Sequence, residues 1–367
     1  MADSPFDPFA IVEPEVQSEN PQPSFLIRAL RNRFGHWRAG WRLLFYGLGI
    51  VVAGIVISVP FGILMPHDGD EGFGSLTHLL GLMVSITVLL VAALAVLKWV
   101  DRRPVSLLGL GFGPGWLREL TLGVGAGVVM TGFVALVLVV TGSAELSLTE
   151  DVGRSLGAFP TYLLLFTLAG TVEELIFRGY PLQVLAEGSR RWIAVVVLSL
   201  PFMIAHFSNP DVTVIGALNI FLVGILLAVV YFETRRLWLP IGLHLSWNIS
   251  QSWLWGFDVS GIKLDNLLFV AHPTGPEWLT GGGFGLEGSV VSSVLVAAIT
   301  VWLLVGRPLR PTPETSAKWA PYPAGFGLAP EIGSPAAAEE PPDPNERDVR
   351  SERRDTAIPA DDQPLPF

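Results

Sequence analysis

Residues 159–180 read FPTYLLLFTLAGTVEELIFRGY, an apolar run interrupted near its end by two adjacent acids, Glu173 and Glu174, and then by Arg178. A run of about 20 apolar residues is the length at which a helix crosses hydrocarbon. The same pattern recurs along the chain. Eight such runs, centred near Val51, Leu89, Met130, Phe166, Val197, Leu222, Trp247 and Val296, are separated by charged or Gly/Pro-rich punctuation. The expected fold is all-α: a polytopic membrane protein with about eight transmembrane helices in residues 25–306, flanked by disordered tails at 1–24 and 307–367.

Composition points the same way. Of 367 residues, 50% are hydrophobic and 15% charged, with a mean hydropathy of +0.51, whereas soluble domains carry about 25% charged residues. A soluble single-core enzyme is excluded. The chain has no cysteine, so disulfides, thiolate zinc sites and cysteine nucleophiles are excluded too. The net charge of −10 resides in the tails: residues 1–24 hold five acids and no base, and residues 307–367 hold eleven acids against seven bases. Both tails are Pro-containing and too poor in apolar residues to offset chain entropy. No basic surface suggests a nucleic-acid partner; the expected partners are the lipid bilayer and a membrane-associated peptide or protein.

Basic residues alternate between the loops. Fifteen fall in one set (Arg28 to Arg42, Lys98 to Arg118, Arg190 and Arg191, Arg235 and Arg236, Arg307 and Arg310), and only Arg154 and Lys263 in the other. Cytoplasmic loops carry the Lys/Arg excess, so both termini are expected in the cytoplasm, with the protein integral to the plasma membrane. The acidic leader lacks a small-residue cleavage site, and the first run reads as a retained span.

A charge at membrane depth costs about 2.5–3.5 kcal/mol on insertion scales and persists where it pairs or works. Glu174 and Arg178 stand at i, i+4 and can pair, which turns Glu173 toward another face. A helix that has merely reached the interface would also show solvated acids, but Leu182, Val184, Leu185 and Ala186 carry the apolar pattern on toward Glu187. Of six histidines, His36, His67, His78 and His272 lie in flanks or loops and read as surface residues. His206 closes the fifth run in Phe202-Met-Ile-Ala-His206, and His244 shares a helix face with Asn248 in His244-Leu-Ser-Trp-Asn248. A lone helical His is usually a packing residue; two of them, with an Asn and a Glu pair in apolar spans, read as a site.

Glu173, His206 and His244 make one of the ligand sets known for catalytic zinc, with a second Glu to take the proton of a bound water. The same residues suit a metal-free design. There Glu173 and His206 draw a proton from water while His244 and Asn248 stabilise an oxyanion. Both designs hydrolyse an acyl bond. No His is followed by Glu, which removes the H-E-x-x-H helix, and no G-x-S-x-G occurs. Gly123 and Gly127 fit close helix packing.

The ordered set Glu173-Glu174-Leu-Ile-Phe-Arg178, Phe202-Met-Ile-Ala-His206 and His244-Leu-Ser-Trp-Asn248 resembles the CPBP family of intramembrane proteases. That family groups CAAX prenyl endopeptidases with bacterial bacteriocin-processing and immunity-type proteins. The resemblance covers roughly residues 95–256, including Arg102-Arg103-Pro-Val-Ser-Leu-Leu-Gly-Leu-Gly and Leu237-Trp-Leu-Pro-Ile-Gly-Leu. It implies an intramembrane endopeptidase whose Glu173, Glu174, His206, His244 and Asn248 line one cavity, with Arg178 and Phe202 in support. It also implies a divalent metal such as zinc on Glu173, His206 and His244, if one is bound. The alternative is a non-catalytic membrane protein of the same fold, an immunity or transporter-like factor.

One conflict arises from depth. With Glu187, Arg191 and Arg236 as inner ends, Glu173 lies about 21 Å deep and His206 about 22 Å, but His244 only about 12 Å. The seventh span must start deeper, tilt or pack obliquely for the three to meet.

Overall fold

The structure, a computed structural model, describes residues 29–30, 37–64, 76–102 and 104–319. His36, His67 and residues 320–367 lie outside the described residues, as do the N-terminal tail and the expected external position near Asp70. The described helices are α1 Ala39–Leu64, α2 Leu76–Ala95 with a π-helical continuation over Val96–Asp101, α3 Trp116–Val140, α4 Val152–Phe177 and α5 Tyr180–Gly188. They are followed by α6 Arg191–Ala205, α7 Val214–Thr234, α8 Trp238–Ile249 with a π-helical continuation over Ser250–Leu254, α9 Val290–Gly306 and α10 Pro313–Trp319.

The chain is mostly helical, and every one of the eight apolar runs is helical. The expected eight crossings are nevertheless not reached. By length and composition, five described segments suffice: Ala39–Val56, Met83–Asp101, Trp116–Val140, Val152–Gly188 and Val214–Thr234. The other three runs fold as α6, α8 and α9, of 15, 12 and 17 residues. At 1.5 Å per residue α6 is only about 22 Å long, short of the ~30 Å hydrocarbon core. It stops at His206, just before the turn through Asn209 and Pro210.

The all-α expectation also missed a two-stranded antiparallel ribbon. Strand β1, Ala144–Leu148, pairs with β2, Phe269–Pro273, placing Leu146 opposite Ala271. Five residues of apolar/polar alternation leave little trace beside spans of 20. In the C-terminal stretch expected to be disordered, residues 307–319 are described and include α10, with Thr312 accepting a hydrogen bond from Arg236 at 3.1 Å.

Large apolar residues stay exposed on the outer helix faces, among them Val56, Val129, Val140, Val301 and Trp302. Such a surface requires an apolar solvent, which a bilayer provides. Inside, Leu165, Phe166 and Leu175 of α4 pack with Leu182 and Val184 of α5. A second cluster joins Met130 of α3, Leu226 and Leu227 of α7, Leu243 of α8 and Val296 of α9.

Two local features position the site. The first is the break between α4 and α5, where a helix continuing to Glu187 was expected. The Gly179 N–H bonds Glu174 O at 2.9 Å, and a Cβ on Gly179 would meet Leu175 O at 2.6 Å. Pro181, in the first turn of α5, has no N–H to continue the ladder. The helix bearing both acids therefore ends one turn after them.

The second is the contact of α3 with α8. A Cβ on Gly127 would strike Ser246 Oγ and come within 2.7 Å of Leu243 O and 2.8 Å of Trp247 N, while a Cβ on Gly242 would strike Leu120 O. Small residues let the two backbones approach. Gly127→Ala should destabilise by the ~1–3 kcal/mol of core overpacking, because backbone atoms as well as the Ser246 hydroxyl block the new methyl. The neighbouring Gly125, whose Cβ would meet nothing within 4 Å, is the control. Thermal unfolding in detergent should separate the two variants; equal midpoints would refute tight α3–α8 packing.

Candidate active site

Four elements converge on a cavity of about 350 Å³. Its polar lining is Glu173 from α4, His206 and Asn209 from the end of α6, His244 and Asn248 from α8, and Ser260 and Glu287 from the segments that follow. The remaining wall is apolar, with Phe166, Ile176, Phe202, Leu226 and Trp247 among its residues.

Glu173 Oε2 is buried without a hydrogen-bond partner and faces two imidazoles, 3.9 Å from His206 Nε2 and 3.8 Å from His244 Nε2. Each ring is anchored from behind. His206 Nδ1 lies 2.8 Å from Phe202 O, and because a carbonyl only accepts, that nitrogen carries the proton and Nε2 of the neutral ring has a lone pair. His244 Nδ1 donates to Glu174 Oε1 at 2.9 Å.

Glu174 does not line the cavity, contrary to the expectation for it. It is fully buried behind His244, where Oε1 also accepts from Arg178 Nη1 at 2.9 Å. Arg178 in turn donates to Gly224 O at 3.3 Å and lies over the Phe202 ring, with Cζ 4.2 Å from its centroid. Residue spacing put both acids near the site; it could not show that Arg178 and His244 share one oxygen of Glu174. Asn248 lies half-buried on the cavity, one turn beyond His244.

The depth conflict eases because two of its three markers, Arg236 and Glu187, are not at a surface. Arg236 is buried, donating to Pro114 O at 2.8 Å and lying 3.6 Å from Glu119. Glu187 pairs with buried Arg42, which also pairs with Asp101. Both charges sit inside the protein, so distances counted from them do not measure depth.

Among the described residues, no group of three or more His, Asp or Glu side chains is arranged to hold a metal ion. The ligand set Glu173, His206 and His244 is thus brought together but not closed into a metal-binding geometry.

Glu287 was not among the sequence candidates. It is buried, and its Oε2 accepts from the Ser260 N–H at 2.7 Å and the Ser260 hydroxyl at 2.6 Å. Burial pushes its carboxyl above the usual range, opposed by the Ser260 hydroxyl and by the charges of His206 and His244. Its signal was faint: a lone acid in the glycine-rich stretch 281–288, which reads as loop punctuation.

Fold and site together give a mostly helical protein with membrane-length apolar helices and an acid–imidazole cavity among them. Residues 155–250 match the family described as type II CAAX prenyl endopeptidase Rce1-like. This supports the CPBP family of intramembrane proteases, and the matched segment includes Glu173, Glu174, Arg178, His206, His244 and Asn248. Comparisons with curated proteins and with solved structures gave no match.

Proposed function

We propose that the protein is an intramembrane endopeptidase that hydrolyses a peptide bond of a membrane-associated substrate with water activated by Glu173. The observation that carries this reading is the Glu173 Oε2 atom, without a hydrogen-bond partner and facing both imidazoles at the cavity. A water there gives its proton to the Glu173 carboxylate, its position fixed by the His206 Nε2 lone pair, and its oxygen attacks the scissile carbonyl carbon. In this step His244 acts as an imidazolium held between Glu173 and Glu174. It then donates from Nδ1 to Glu174 and from Nε2 toward the oxyanion, with the Asn248 amide as second donor. Collapse of the intermediate breaks the C–N bond, and the proton held by Glu173 passes to the leaving amine.

The same proposal sets both termini in the cytoplasm, in the plasma membrane. The ion contacts support this sidedness: Arg42, Asp101 and Glu187 join three segments that the basic-residue alternation puts on one side. The β1–β2 ribbon joins two segments assigned to the other.

The test is a cleavage screen of purified full-length protein against membrane-spanning peptides, with Asn248→Ala beside the wild type. Removal of one oxyanion donor should slow turnover by about 10²–10³-fold while leaving the folded yield unchanged. A folded wild type that cuts no peptide of the screen would favour the non-catalytic alternative.

A further inference from the structure

The cavity holds two carboxylates, Glu173 and Glu287, and no Lys or Arg lines it. The mechanism uses the first and leaves the second unassigned. Glu287 is only 6% exposed, and among the described residues no Lys or Arg pairs with it. Its position is built, not incidental. Ser260 grips Oε2 with both its N–H and its hydroxyl. The backbone beneath is held as well, since Asn219 Nδ2 donates to Glu287 O at 2.7 Å and to Ser289 O at 2.9 Å. Gly285 pairs with Val259 in an antiparallel bridge, tying the glycine-rich stretch to the Ser260 segment.

A buried carboxylate with two donors on one oxygen has unused acceptor capacity on the other. The His206 and His244 imidazoles, already engaged at the catalytic site, offset its burial only in part, and a ligand that brings its own cation recovers more of that cost. Apart from the uncharged Asn209 amide, the rest of the wall offers apolar packing or the catalytic groups already engaged.

We propose that Glu287 is a specificity-determining residue of this cavity, receiving the ammonium or guanidinium of a basic substrate side chain beside the scissile bond and turning away a carboxylate there. The proposal rests on the endopeptidase reading and narrows its substrate class. A segment that continues past the site with a Lys or Arg fits; one that places a free C-terminal carboxylate against Glu287 does not.

The test uses one apolar membrane-spanning peptide made in three versions, with Lys, norleucine or Glu at its centre. Binding is measured to full-length Glu173→Gln protein and to the Glu173→Gln/Glu287→Gln double variant, and cleavage is measured with the wild type and Glu287→Gln. Glutamine keeps an oxygen for Ser260, so the fold is preserved. A charge-assisted hydrogen bond should favour the Lys peptide over norleucine by about 10–100-fold, the Glu peptide should bind worst, and Glu287→Gln should abolish the ranking. If Glu287 served only to steady the imidazoles, Glu287→Gln would slow all peptides alike and leave their ratios unchanged, which overturns the proposal. Equal binding of the three peptides, or binding of none, also overturns it. A Glu287-dependent preference in binding with no cleavage by the wild type would instead sink the endopeptidase reading and leave the cation site standing.

Discussion

Glu173→Gln should lower kcat/KM by about 10²–10⁴-fold, the range for loss of a general base. The substitution keeps side-chain length and one oxygen, so the cavity and its two imidazoles stay in place; what disappears is the carboxylate that accepts the proton of water. Because Glu173 Oε2 makes no hydrogen bond among the described residues, no structural contact is lost and the folded yield should equal that of the wild type. The change should fall on kcat, with peptide binding nearly unaltered. Full activity of Glu173→Gln on a verified substrate would end the endopeptidase mechanism.

Arg178→Ala should act on folding first. The guanidinium is buried beside a fully buried Glu174 carboxylate and over the Phe202 ring. Removing it leaves the buried carboxylate with His244 as its remaining partner, and up to about 3–5 kcal/mol, the cost of a broken buried pair, is expected. Monodisperse protein and unfolding temperature should both fall. Adding Glu174→Gln removes the buried charge and should recover much of the folded yield, yet not activity, because His244 then loses the carboxylate that anchors its Nδ1. Wild-type stability in Arg178→Ala would show that the pair is not a structural element.

The two variants separate what was legible in the sequence from what was not. The identity of the site residues could be read because they are polar exceptions in apolar runs, and because i, i+4 spacing ties Glu174 to Arg178 and His244 to Asn248. Their division of labour could not, since it depends on which side of His244 each acid approaches, a fact of tertiary packing. Helical runs were readable from hydropathy. The three short helices, the break at Gly179 and the β1–β2 ribbon were not, because each depends on a few residues whose local preference is set against neighbours far along the chain. Arg236 and Glu187 misled the depth estimate for a related reason: a charge near the end of an apolar run looks the same whether it faces water or a buried partner. Glu287 went unseen because one acid among glycines carries no periodicity.

Helix α8 serves three partners at once. Gly242 lies against α3, His244 meets Glu174 of α4, and Asn248 looks into the cavity. Adjacent positions on a helix differ by 100°, so these three demands leave α8 no freedom to rotate or slide for one partner without failing another. The aim of the imidazole is therefore stored at a helix seam well away from the reacting atoms. Selection on catalysis should act on glycines that never touch substrate, and a methyl group added at that seam is as much an error of alignment as a change in the histidine itself.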